Sequence, residues 1–309
     1  MNQTKKKNPL KRLLSMRGMG QVVTVTIGLI VLLVAFALIN PNFWSPTNRT
    51  NLLRQIAPIL IIGIAQSYVL ITGNIDLSIG SVVGMSTMVA ATLMSKGIMS
   101  PIPALLVTLL CCLLIGVLNG LLVAKFKLPP FIATLGTMTV ARGIAQLVNG
   151  NYNTDSIMKF YPEAAQTFKN VFYYGKTLGL YNGIWIAIIL WIVFNFLLSK
   201  TRTGRYIYAT GSNIDAARLS GVNVVSTTVI AYVVSAFCSF VVGIITCATV
   251  GQGTMDAGNS YEMYAVAASV IGGVSTLGGQ GILLGTVVGA AIWGTLQNGL
   301  QFAGAPVAI

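Results

Sequence analysis

Apolar residues gather in long runs separated by short polar hinges along nearly the whole chain. At 1.5 Å rise per residue, about twenty helical residues cross the roughly 30 Å hydrocarbon layer of a bilayer. About nine runs approach that length, at approximately 21–39, 56–72, 78–95, 102–124, 130–148, 183–199, 226–250, 262–277 and 281–301. A helix satisfies its own backbone groups in lipid, so the pattern predicts an all-α integral membrane protein, a polytopic helical bundle forming one transmembrane domain over residues 1–309. Basic residues precede the first run, as they do in a secretory leader. That run exceeds the roughly 7–15 residues of a leader's apolar stretch, and Asn40-Pro41-Asn42-Phe43-Trp44 offers no small-residue cleavage site. It is expected to remain as an uncleaved first span.

Residues 149–182 break the pattern. They are polar, hold Asp155, Glu163, Lys159 and Lys169, and carry Tyr152, Phe160, Tyr161, Phe168, Phe172, Tyr173 and Tyr174. The span count puts this segment outside the cell, either as an amphipathic stretch with its aromatics at headgroup level or as a docking surface for an external partner. Glycines four apart recur at Gly80/Gly84, Gly116/Gly120, Gly281/Gly285 and Gly285/Gly289, a spacing that lets helix backbones approach closely. The stretch 71–84 faintly echoes 271–285, as an internal duplication would.

Composition strengthens the membrane reading. Hydrophobic residues make up 55% of the chain and charged residues 8%, against roughly 25% charged in soluble domains; mean hydropathy is +0.79. The net charge of +13 is explained by where the charges fall, without nucleic acid. Lys5, Lys6, Lys7, Lys11, Arg12 and Arg17 precede the first run, Lys125 and Lys127 occupy one hinge, and Lys200, Arg202, Arg205 and Arg218 another. An even number of spans separates these groups, so all can face the cytoplasm under the positive-inside rule. The expected arrangement is a basic cytoplasmic amino-terminal segment (1–20), an external loop (149–182) and a cytoplasmic loop (200–225). Cys111, Cys112, Cys238 and Cys247 sit in apolar runs without metal-ligand spacing, and the chain has no histidine. It also lacks a glycine loop ending in Lys-Ser/Thr and a close pair of acids. The expectation is therefore no enzyme, no metal and no cofactor held by this chain; any energy comes from a partner or an ion gradient.

Several polar residues interrupt the apolar runs. Asp76, beside Asn74 and Ser78, stands where an ionised carboxylate costs roughly 2.5–3.5 kcal/mol at mid-membrane. It either caps the third span together with Ser78 or binds a proton or substrate hydroxyls. Arg142 lies well inside a span. It either lines a polar path with Thr134, Thr137 and Gln146 or snorkels to the outer headgroups. Gln66, Asn119, Gln297 and Asn298 are candidate interhelical hydrogen-bond partners or path residues. In 200–224, Ser212-Asn213-Ile214-Asp215 fits a capping box and Gly221 a left-handed stop, which predicts a helix of about two turns between them. So short a helix needs packing to persist, and it suits either a socket on a partner or an ordinary interfacial turn.

That stretch, TRTGRYIYATGSNIDAARLSGVNV (201–224), resembles the cytoplasmic coupling loop of ABC importer permeases of the ribose, xylose and galactoside group. GNIDLSIGSVVGMSTMVAATL (73–93), LPPFIATLGTMTVARGIAQLV (128–148) and AVAASVIGGVSTLGGQGILLGTVVGAAIWGTLQNGL (265–300) resemble further family segments in the family's order. The resemblance implies the permease subunit of an ATP-driven importer of simple sugars in the bacterial plasma (inner) membrane. It implies a second permease subunit, identical or different, two ATP-binding subunits that hold the ATP and Mg, and an extracytoplasmic sugar-binding protein. Gly211, Ser212, Asn213, Asp215, Ala216, Ala217, Arg218, Leu219 and Gly221 would then couple to the ATPase. Gln66, Asn74, Asp76, Asn119, Thr134, Thr137, Arg142 and Asn298 are candidates for the translocation path. The family pattern adds a tenth span after the segment that ends here at Ile309, so an odd number of spans and an outside carboxyl terminus are expected for this chain. Two other classes remain open at this level: an ion-coupled secondary carrier using Asp76 and Arg142, which the scarcity of membrane acids disfavours, and an amino-acid permease of the same superfamily.

Overall fold

The structure, a computed structural model, describes residues 19–304; the basic amino-terminal residues ahead of Met19 lie outside them. Twelve α-helices follow in order: α1 Met19–Ile39, α2 Pro46–Ile71, α3 Ile79–Ser95, α4 Pro101–Ala124, α5 Pro130–Leu147, α6 Pro162–Lys169, α7 Asn182–Lys200, α8 Arg202–Ser212, α9 Ile214–Leu219, α10 Val224–Val250, α11 Tyr261–Ile271 and α12 Leu283–Phe302. A two-stranded hairpin, β1 Lys176–Thr177 and β2 Leu180–Tyr181, lies between α6 and α7. Proline at the first turn, preset for helical φ, starts α2, α4 and α5. The Ser45 hydroxyl caps α2 by accepting from the Asn48 N–H.

Five helices, α1, α2, α4, α7 and α10, are long and apolar enough to cross a bilayer. Helices α3 and α11 are apolar but shorter, and each follows a stretch of broken backbone. The breaks explain why the nine apolar runs are not nine helices. After α2 the chain runs without regular structure through residues 74–78 before α3 begins, and after α10 it runs irregularly through 251–260 before the short α11. The run expected at 262–277 is thus eleven residues of helix followed by a turn at 272–282.

Two ends can be distinguished. Residues 72–74, 127–130, 210–214 and Leu277 converge at one, the hinge end. Residues 97, 154–174 and 249–253 meet at the other, the aromatic end. The sequence α2–break–α3–α4 runs from the aromatic end to the hinge end, back, and to the hinge end again; α10–break–α11–α12 traces the same three passes in the opposite sense. This is an inverted repeat of the kind that places broken helices at transporter sites. In this order the break after α2 corresponds to the one at 251–260, while 271–285 holds the turn between α11 and α12 and the first residues of α12.

The windows of α2 and α10 are 78% and 72% buried and form the centre, whereas α1 at 11% is peripheral. Lipid is as apolar as these side chains, so close packing and hydrogen bonds hold the bundle. Gly116 and Gly120 of α4 make the point, because a Cβ on them would stand 2.8 Å from the Tyr232 carbonyl oxygen and 2.5 Å from Val229 Cα of α10. At the aromatic end, 149–182 packs its rings on the bundle: Phe168 is buried, and the Tyr161 hydroxyl donates to Gly97 O. The Arg54 guanidinium lies between the Tyr173 and Tyr181 rings at 4.3 and 4.2 Å. Lys159 donates to Asp155 at 2.7 Å, and this pairing holds the Asp155 carboxyl below the usual range.

Candidate functional site

The hinge end carries a unit of two helices that lies across the bundle. The Thr201 hydroxyl caps α8 by accepting from Gly204 N–H. Asn213 then caps α9, its Oδ1 accepting from Asp215 and Ala216 N–H at 3.0 and 2.9 Å, and Gly221 (φ 81°) stops it. The capping residue is Asn213, since Ser212 still belongs to α8. Helix α9 has only six residues and is held by a small cluster of Ala217, Val222 and Val224 against Ala209. Ala217 is therefore inside, while Leu219, 89% exposed, points away from the bundle, as does Leu277 at 88% on the neighbouring turn. Ser212, Asp215, Ala216 and Arg218 are exposed. The Asp215–Arg218 pair at 3.5 Å is solvated and contributes little to stability.

Helix α8 is keyed to the bundle through its backbone. At Gly211 an added Cβ would overlap the Ile71 carbonyl oxygen and lie 2.7 Å from Gly279 N. The same Ile71 oxygen accepts from Gly279 N–H at 2.9 Å. Tyr208 donates to Gly281 O at 2.6 Å, and burial pushes its phenol up to about 12, so it stays a donor at neutral pH. The last turn of α8, the end of α2 and the 275–281 turn thus meet in one joint, immediately before the first break.

The first break is buried in a web of hydrogen bonds. Asp76 Oδ1 accepts from the Ser78 N–H and hydroxyl at 2.9 and 2.6 Å, and Oδ2 accepts from the Ser235 hydroxyl at 2.7 Å. Asn119 Nδ2 donates to Ser78 Oγ, and Thr137 Oγ1 donates to Asn119 Oδ1. Thr134 Oγ1 accepts from Leu77 N–H, and the Tyr232 hydroxyl donates to Ile75 O. Asn74 donates to Thr72 at the hinge end. Asp76 is 2% exposed, so this web ties α4, α5 and α10 to the irregular segment and is closed to solvent. Asn298 likewise pairs with Asn48 and Gln55 of α2. Gln66 is fully buried, and neither amide atom has a partner among the described residues.

The second break is open. Arg142 Nη1 donates to the carbonyl oxygens of Met255 and Ala257 at 3.0 and 2.9 Å, so the guanidinium turns into the bundle and does not reach toward headgroups. Beside it is a cleft of about 750 Å³ lined by Asp256, Asn259, Ser260, Glu262 and Tyr264. Of the eight candidate path residues, Arg142 alone lines this cleft; Asp76, Asn119, Thr134, Thr137 and Asn298 lie in closed hydrogen-bonded positions. Asp256 and Glu262 were not singled out from the sequence. The available signal was that two of only six acidic residues fall within one short polar interruption, GQGTMDAGNSYEM.

The family profile described as "Branched-chain amino acid transport system / permease component" matches residues 48–309. The ribose import permease protein RbsC of Haemophilus influenzae is 40% identical over 278 residues, 89% of this chain and 84% of the relative. Its Bacillus subtilis counterpart is 36% identical over 90% of this chain and 84% of the relative. The D-allose transport system permease protein AlsC of Escherichia coli is 32% identical over 88% and 82%. No solved structure matches the chain significantly. A match over most of the chain, on an all-α structure with five long apolar helices, makes this protein a member of that family of ABC transport-system permease components, a transport subunit and not an enzyme.

Proposed function

We propose that the chain forms the translocation path of an ATP-driven importer of simple sugars in the bacterial inner membrane, with its hinge end in the cytoplasm. The family description names amino acids, but relatives that align over most of the chain are named for ribose and allose, and sugars are the better-supported cargo. Two ATP-binding subunits dock on α8–α9, a second permease subunit completes the path, and an extracytoplasmic sugar-binding protein delivers cargo to the aromatic end. ATP and Mg belong to the ATPase partner. Lys125, Lys127, Lys200, Arg202, Arg205 and Arg218 at the hinge end favour the cytoplasmic orientation.

The observation that carries this reading is the joint between α8, Ile71 and Gly279. A short helix offering Leu219 to a partner is backed by backbone contact with the end of a central span, so a push on α9 reaches the first break without an intervening flexible side chain. Copurification with the ATPase subunit tests it. Leu219→Asp puts a charge on an exposed position outside the fold and is expected to abolish association while membrane insertion persists. Unchanged association would overturn the docking role. Ala217 is unsuitable for this test because its side chain packs inside the α9 cluster.

A further inference from the structure

We propose that the cleft at the second break is the station where the sugar rests during its passage, held by Asp256, Asn259 and Glu262 against the rings of Tyr261 and Tyr264; this rests on the transport reading above. The depth is the first argument. Gly80, in the first turn of α3, touches both Gly258 and the Glu262 carboxylate, and fifteen helical residues separate it from Ser95 at the aromatic end, about 22 Å. Arg142 is twelve residues, about 18 Å, from the start of α5 at the hinge end. The cleft therefore lies within the hydrocarbon layer. Irregular backbone and ionised side chains persist at that depth only where they line a water-filled cavity or are buried in protein. Asp256, Asn259 and Ser260 are exposed in the single chain, which places the cleft against an aqueous passage and not against lipid.

Its chemistry selects the cargo. Two carboxylates and an amide can accept from the hydroxyls of a sugar, and the Tyr261 and Tyr264 rings, tilted 39° to each other with centroids 5.6 Å apart, line the same cleft for the C–H face of its ring. One guanidinium against two carboxylates leaves the cleft negative, so it admits neutral polyhydroxylated rings and repels phosphorylated ones. Arg142 acts as a positioning residue, because its Nη1 is committed to the two carbonyls that shape the loop. Ser260 holds a left-handed conformation (φ 63°) uncommon for serine, a strain that the surrounding structure must maintain. The volume falls in the range of roughly 300–1,000 Å³ of small-molecule sites. The cleft also continues toward the aromatic end: a second cavity of about 250 Å³, lined by Arg54, Gln55, Tyr173 and Gln297, shares Thr246, Tyr261 and Tyr264 with it. A delivered sugar has a continuous polar and aromatic surface to follow inward.

The test uses the complete importer, this chain with its ATPase and binding-protein partners, in proteoliposomes, with D-ribose, D-allose and D-galactose as probes. ATP-driven uptake of none of them by the unaltered importer would refute the transport reading, independently of the cleft. Where one is carried, Glu262→Gln and Asp256→Asn are each expected to lower uptake kcat/KM about tenfold or more, the loss of one charge-assisted hydrogen bond. Wild-type kcat/KM in both would overturn the proposal. Because a variant can fail to assemble, Ser260→Cys gives a second readout: a small thiol reagent added at the aromatic end should modify it, and the carried sugar should slow that modification severalfold. Modification indifferent to the sugar overturns the assignment.

Discussion

Replacing Gly211 with valine probes the joint between the coupling unit and the spans. Even the first added carbon overlaps the Ile71 carbonyl and stands 2.7 Å from Gly279 N. Ordinary contact begins near 3.5 Å, so α8 must retreat about 0.8 Å from that nitrogen and further from the oxygen. The obstructing atoms are backbone and have no rotamer by which to escape. The retreat pulls Tyr208 of α8 away from Gly281 O, a loss of about 0.5–1.5 kcal/mol, and adds about 1–3 kcal/mol of overpacking. Two effects should follow. The purified protein should melt several degrees lower, and the importer should uncouple, with ATP hydrolysis continuing while sugar uptake falls. Gly211→Ala should show the same pattern more weakly. Wild-type melting and a wild-type ratio of transport to hydrolysis in Gly211→Val would refute the claim that this backbone contact carries the coupling.

Other expectations follow from the same contacts. Asp76→Ala leaves the Ser78 and Ser235 donors unpaired in the interior and should destabilise the protein by about 2–4 kcal/mol, with Asp76→Asn milder, as read by chemical denaturation in detergent; equal stability of all three would contradict the closed web. A double-mutant cycle on Asn48→Leu and Asn298→Leu should give a coupling energy of about 0.5–2 kcal/mol, because the two amides bond each other; additivity would contradict that. Arg142→Lys should fail to restore what Arg142→Ala loses in uptake, since an ammonium on a shorter reach does not arrive where Nη1 donates to both Met255 and Ala257; full rescue by lysine would indicate that charge alone matters.

Much of the fold was legible in the sequence because lipid imposes so strong a constraint: long apolar runs must become helices, and the all-α class and the approximate limits of the long helices followed from run length. The breaks were harder. Residues 262–277 read as one apolar run, yet the helix stops at Ile271, where Gly272 and Gly273 lead into a turn; hydropathy records burial in lipid or protein but not whether the backbone is helical. Helix α8 went unread for the opposite reason, since Arg202–Ser212 is rich in small and charged residues and its amphipathic face emerges only when packed. The α9 cap and stop were readable because they depend on local chemistry at Asn213 and Gly221. Roles were the least legible. Asp76 and Glu262 look alike as acids between apolar stretches, and only the partners supplied to Asp76 by Ser78 and by Ser235 of α10 make it a buried knot while Glu262 walls an open cleft.

The most direct measurement of the central claim is which side of the membrane each end of the bundle faces. Single cysteines at Ser212 on the hinge end and at Tyr152 on the aromatic end, both exposed, would be treated with a membrane-impermeant thiol reagent in intact spheroplasts and in inverted vesicles. The account predicts modification of Tyr152→Cys only in spheroplasts and of Ser212→Cys only in inverted vesicles. Modification of Ser212→Cys from the outside of intact cells would place α8–α9 beyond the reach of any cytoplasmic ATPase and contradict the account.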